Sequence, residues 1–159
     1  MNQERSLKSL PPLCYNDQLA AEARAHSENW ATNPTRPCPF NSEWQFCGHW
    51  DSRPEFPWPE ERFSKYGPIG HIKYAENTQW GVFGTAFGDQ VVPDGYTWGT
   101  ARTAVYWWMN HDPANNYAKN LHRAAILNPD FRDAGPGVGR YTPGAGPNGA
   151  TFTMMFGAR

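Results

Sequence analysis

The hydrophobic period of this chain is mainly helical in the early segments and alternating in the tail, and that order limits the architecture open to it. From Asn16 to Ala31 a capping Asn is followed by Leu19, Ala20, Ala23, Ser27, Trp30 and Ala31 on one helical face, and Asn33-Pro34 closes the segment. Pro59 at a first helical position, with Glu60 and Glu61 behind it, predicts a short helix carrying Phe63 and Tyr66 and ending at Gly67. Thr100 caps a third helix that runs to about Asn110 with Ala101, Ala104, Val105, Trp108 and Met109 inward, and Asp112-Pro113 breaks it. A further short helix precedes Asn128-Pro129. The segment from His71 to Glu76 alternates instead, placing Ile72, Tyr74 and Glu76 on one face. Two tail strands are expected, Val138 to Tyr141 and Thr151 to Phe156, joined by a Gly/Pro/Asn-rich turn. Helices early and strands late make a layered α+β domain.

Between Pro34 and Pro59 the chain is rich in Pro and Trp without any period, which reads as an ordered loop rather than a linker. Gly135-Pro136-Gly137-Val138-Gly139 superficially matches a nucleotide-binding loop, but no strand clearly precedes it and no helix follows, so it reads as a Gly-rich turn. The whole chain of 159 residues, 1–159, fits a single domain. Its 8 Trp, 9 Phe and 7 Tyr offset a modest hydrophobic fraction of 39%, so the core is expected to be aromatic, built largely from Trp44, Trp50, Trp58, Trp80, Trp98, Trp107 and Trp108, with some of these rings lining a cleft. A net charge of −1 supplies no positive field for nucleic acid. No apolar run approaches the roughly 18 to 20 residues of a membrane span, and the first residues lack the apolar core of a signal peptide.

Of the 3 cysteines, Cys38 and Cys47 flank a short loop at a spacing compatible with a disulfide. Cys14, between Leu13 and Tyr15, is expected to be a small buried apolar residue. His26 falls mid-helix among Ala and Ser and reads as a surface or partly buried residue without a role. Neither a His-Glu-x-x-His pair nor a Gly-x-Ser-x-Gly elbow is present, and Cys47 with His49 is the only Cys/His pairing close in sequence.

Several short motifs occur in a telling order. Asn2-Gln3-Glu4-Arg5 and Leu10-Pro11-Pro12-Leu13 come first, then Gly48-His49, Ala75-Glu76-Asn77, the run Asn120 to Pro129 with His122 near its start, and Gly137-Val138-Gly139. Taken together they resemble the CAP superfamily of cysteine-rich secretory proteins, venom antigens, pathogenesis-related proteins and bacterial relatives. The resemblance implies an α-β-α sandwich with a central twisted antiparallel sheet, Asn2 to Arg5 inside a first helix, and a secreted protein in which Met1 stands in place of preceding residues and an export signal.

It also implies an open cleft where His49, Glu76 and His122 meet. Where relatives often carry a second Glu, this chain has His111 after Trp108-Met109-Asn110, and Leu121 and Ala75 stand where many relatives have Gly. His49, His122, Glu76 and His111 would offer imidazole nitrogens and one carboxylate to zinc or another divalent ion. Trp50, Arg53 and Asn77 are placed along the same cleft, with Arg62 at its rim or facing solvent. The expected partner is a small apolar ligand or an extracellular surface. Two alternatives stand beside this reading. One is a metal-dependent hydrolase with Glu76 as general base. The other is an interaction module whose histidines and Glu76 form a hydrogen-bonded network around a vestigial cleft.

Overall fold

The computed structural model describes residues 1–32, 48–55, 57–64, 73–82, 97, 99–110, 121–140 and 149–159. Expectations for Cys38, Cys47, His71, His111, Trp44, Trp98 and the turn before Gly149 fall outside these residues. The described elements run α1 (Asn2–Ser6), β1 (Cys14–Tyr15), α2 (Asp17–Thr32), α3 (Pro59–Ser64), β2 (Lys73–Val82), α4 (Ala101–Asn110), α5 (Leu121–Ile126), β3 (Asp133–Arg140) and β4 (Gly149–Ala158). The sheet order is β1-β3-β4-β2, with β3 and β2 antiparallel to β4 along their lengths. One departure from the expected antiparallel sheet is β1, which pairs with β3 in parallel.

The alternation along β4 sorts the layers. Phe152, Phe156, Ala150 and Ala158 face one side and join Trp108 and Met109 of α4, Ala125 and Ile126 of α5, and Phe131. Met155 faces the other and packs with Leu19 and Ala23 of α2 and Phe63 of α3. Helices therefore cover both faces, as the sandwich requires. Asn16 caps α2 as expected, its Oδ1 accepting from the Gln18 and Leu19 amides at 3.1 and 3.0 Å. Among the described Trp side chains only Trp108 belongs to the core, at 2% exposure, while Trp50, Trp58 and Trp107 are half-buried. Alanine fills much of the space assigned to rings, because short side chains let the helices sit close to the sheet.

That closeness explains a correction. Gly135, Gly137 and Gly139 form part of strand β3 rather than a turn. A Cβ on Gly135 would overlap the backbone of Leu19 and Ala20, one on Gly137 that of Ala23 and Arg24, and one on Gly139 that of Ser27 and Glu28. Two residues of strand advance about 6.7 Å and four of helix about 6 Å, so the glycines meet successive turns of α2 in step. Glycine removes the side-chain layer between strand and helix. The cost is the apolar alternation by which a strand is recognised.

Cys14 is exposed, not buried, since it lies on the two-residue edge strand while Leu13 turns into the core. Arg5 of α1 is fully buried, and its guanidinium donates to the carbonyls of Pro11 (2.8 Å), Ile126 (2.8 Å), Asn128 (2.9 Å) and Phe131 (3.2 Å). No described helix is long and apolar enough to cross a membrane.

Candidate functional site

Glu76 and Asn77 are consecutive in β2, the edge strand of the described sheet, so their side chains leave it on opposite faces. Glu76, level with Met155, projects towards α2 and α3, and Asn77, level with Met154, towards α5. The site is assembled around this edge. Asn77 Nδ2 donates to the His122 carbonyl at 2.9 Å and so anchors the start of α5. His122 faces His49 across a centroid distance of 6.3 Å with the rings inclined by only 21°, and Trp107 of α4 lies 6.2 Å from the His122 ring on another side.

Behind His49 stands a buried relay. His49 Nδ1 lies 2.9 Å from Glu76 Oε1, and the Arg62 guanidinium closes on the same carboxylate at 2.7 and 2.8 Å from Nη2 and 3.3 Å from Nε. Arg62 is fully buried and the Glu76 side chain is 1% exposed. Burial by itself would raise the Glu76 carboxyl, but Arg62, then His26 and the hydrogen bond from His49, outweigh it and hold the group at about 2. An ionised carboxylate only accepts, so His49 donates from Nδ1. That leaves Nε2 as the ring nitrogen not engaged with Glu76, and it carries a lone pair whenever the ring is neutral.

A second set of charges joins α2 to the segment after His49. Arg53 donates to Asp51 from Nε at 2.9 Å and Nη2 at 2.7 Å, and pairs with Glu22 of α2. Burial opposes the charge on Asp51, yet hydrogen bonds from His26 and Arg53 hold its carboxyl far below the usual carboxylate range. Asp51 and Glu22 in turn push Arg53 up against the effect of its burial.

Of the residues singled out from sequence, His49, Glu76 and His122 are brought together, with Asn77 tying β2 to α5 and Trp50 half-buried beside His49. Arg53 reaches inward to Asp51 and Glu22 while its side chain stays 27% exposed. Among the described residues no group of three His, Cys, Asp or Glu is gathered tightly enough to hold an ion. Two expectations are corrected. Arg62 faces neither rim nor solvent, because Glu76 draws it inside. His26 is fully buried, held by Asp51 and by the Gly48 carbonyl. A sequence signal for His26 existed: Glu22 and His26, one turn apart, share the stripe of Leu19, Ala23 and Trp30, and a charged pair on an apolar stripe demands buried partners. For Asp51 no comparable signal is present.

The family described as CAP, the cysteine-rich secretory protein family, matches residues 1–156, and the chain belongs to it. An extracellular protein containing an SCP domain from Bacillus anthracis str. Ames has a crystal structure that superposes with a TM-score of 0.58 at 20% identity, over 99% of this chain and 37% of that one. This chain thus spans little more than a third of that protein, and the likeness concerns the fold. The crystal structure of MpPR-1i soaked with selenourea matches at a TM-score of 0.47 and 13% identity, over 98% and 82% of the two chains, too distant to carry an argument. No curated protein matches.

Proposed function

We propose that this CAP domain is a secreted binding protein whose cleft takes a divalent metal, zinc by the chemistry of its donors, between His49 and His122. The observation that carries the reading is the relay Arg62–Glu76–His49, which ends in a ring facing His122. The donor set fits the ion. Neutral imidazole nitrogen is a common zinc ligand, and a carboxylate on the far ring nitrogen is the usual group that fixes tautomer and orientation. In this reading Glu76 supports His49 rather than binding the ion itself, and His111 is the residue nearest in sequence that would add a further imidazole. When bound, the ion would act as a Lewis acid on an oxygen of whatever occupies the cleft. Exposed Leu121 and half-buried Trp107, both beside His122, suit a small apolar ligand.

Binding is favoured over hydrolysis by the state of Glu76. A carboxylate held at about 2 and already accepting from Arg62 and His49 is a weak base at neutral pH, so the general-base role of the hydrolase alternative is poorly served. Calorimetric titration of zinc into the metal-stripped protein tests the proposal. Affinity of about micromolar or tighter is expected for the wild type, and its loss in both His49→Ala and His122→Ala. A folded wild type that takes up no zinc would overturn the metal site and leave the interaction module as the better account.

A further inference from the structure

His49 lies in a segment, residues 48–55, that has neither helix nor strand, so contacts with neighbouring elements must set its place. Two of them act on His49 itself. The ring is held through Nδ1, 2.9 Å from Glu76 Oε1. The backbone is held through the carbonyl oxygen, which accepts from Arg62 Nη2 at 2.9 Å. That same Nη2 lies 2.7 Å from Glu76 Oε1 and 2.8 Å from Oε2. The contacts close a circuit that leaves the His49 carbonyl, passes through one guanidinium nitrogen and one carboxylate, and returns to the His49 ring.

The guanidinium in that circuit stands on a firm base. Arg62 and Phe63 are consecutive in α3, and they engage Glu76 and Tyr74, which lie two residues apart on one face of β2. The Phe63 and Tyr74 rings stack with centroids 4.4 Å apart and planes inclined by 26°, while Phe63 also packs with Leu19, Ala23 and Met155 in the core. The Trp58 amide donates to Glu61 Oε2 at 3.1 Å and the Arg62 amide to the Trp58 carbonyl at 3.1 Å, which closes the start of the short helix. Just before that start, the Pro57 carbonyl accepts from the Asp51 amide at 2.9 Å and ties the His49 segment to α3. On the other side of His49, Gly48 runs so close to β2 that a Cβ there would lie 2.6 Å from Thr78 Oγ1.

We infer that Arg62 is the positioning residue of His49, its guanidinium setting the ring of that histidine against its own backbone and so fixing the spacing of the His49 and His122 rings. The inference rests on the reading of His49 as a site residue. A binding constellation must be held to within about 0.5 Å, and a side chain on an irregular segment reaches that only through supporting contacts. Charge beside Glu76 is not enough for this. The donors of a guanidinium point in fixed directions within one plane, so a carbonyl and a carboxylate that both bond it are fixed relative to each other. A lysine ammonium is a point charge on a flexible stem and fixes no such angle.

Arg62→Lys tests this, because it keeps the cation beside Glu76 and removes the fork. The ring signals of His49 are followed in long-range ¹H–¹⁵N spectra, assigned by the signals lost in His49→Ala, and zinc affinity is measured by calorimetry on the same samples. The His49 signals should shift, and zinc binding should weaken roughly 10- to 100-fold, the usual effect of losing a supporting group. A folded Arg62→Lys with wild-type affinity and an unmoved His49 ring would make Arg62 a structural cation and overturn the inference. Should the wild type bind no zinc, the metal reading fails alone, and the His49 signals still decide. Should Arg62→Lys not fold, Arg62→Met combined with Glu76→Gln is compared with Glu76→Gln by itself, which isolates the contact to the His49 carbonyl. A difference in the His49 signals between those two supports the positioning role, and identical signals reject it.

Discussion

Helix α2 buries two faces by opposite means. Towards β3 it meets Gly135, Gly137 and Gly139, where side chains have been removed until backbone touches backbone. Towards the loop of residues 48–55 it projects Glu22 and His26, where ionisable side chains have been brought inside beside Asp51 and Arg53. The first contact is steric and indifferent to pH. The second is electrostatic, and holds only while each charge has its counterpart, since an unpaired buried ion is far more costly than a paired one. One helix thus carries both the rigid reference of the domain and the part of it that senses its ionic surroundings.

Removing one charge should separate the two faces most sharply. Arg62→Met leaves Glu76 buried and uncompensated and is expected to lower stability by about 3–5 kcal/mol in denaturant titration at neutral pH. Adding Glu76→Gln to the same variant should restore much of that loss, and a double variant no better than the single would mean that Arg62 matters for its packing instead. On the glycine face, Gly137→Ala forces a methyl group into the Ala23 carbonyl and is expected to cost about 3 kcal/mol. That loss should be the same at neutral and at mildly acidic pH; a pH-dependent one would dissolve the contrast.

Acid should act on the charged face alone. The Glu76 carboxyl is depressed from 4.5 to about 2 in the folded protein, so its contribution is fully present above pH 4.5 and fades as pH falls towards 2. The shift corresponds to about 3 kcal/mol at most, and Asp51, also depressed, adds in the same direction. Denaturant midpoints measured from pH 6 down to 3 should decline, and less steeply in Glu76→Gln; a flat profile would refute this account. The smallest effect is expected where a neutral contact joins the layers. Asn77→Ala removes the donor to the His122 carbonyl, at about 1–2 kcal/mol, with a proportionate weakening of zinc uptake if His122 is a ligand.

What could be read from sequence divides along the same line. Helices α2, α3, α4 and α5 were marked by caps, period and the Pro or Asn-Pro stops, which are local signals, and the alternation of Tyr74 and Glu76 correctly put both on one face of β2. Strand β3 was recognised only from Val138 onwards. Its first half has glycine where apolar residues would announce a strand, and the reason for that glycine lies in α2, more than a hundred residues earlier. His49, Glu76 and His122 were legible through the order of family motifs. Arg62 was not read as buried, because a cation is drawn inside only when a carboxylate from another segment waits for it, and Glu76 lies beyond the helix that carries Arg62; His26 was missed although Glu22, one turn away, marks its stripe.

Arg5 adds a matter of timing. Its carbonyl partner at Ile126, the last residue of the helix that carries His122, lies 121 positions downstream. A ribosome that adds roughly 5–20 residues per second therefore synthesises the two partners roughly 6–24 s apart. Throughout that interval the guanidinium lacks its partners at Ile126, Asn128 and Phe131, and of its four carbonyls only that of Pro11 has been made. The anchoring of the helix that carries His122 to α1 is therefore completed only after the segment up to Phe131 has been made.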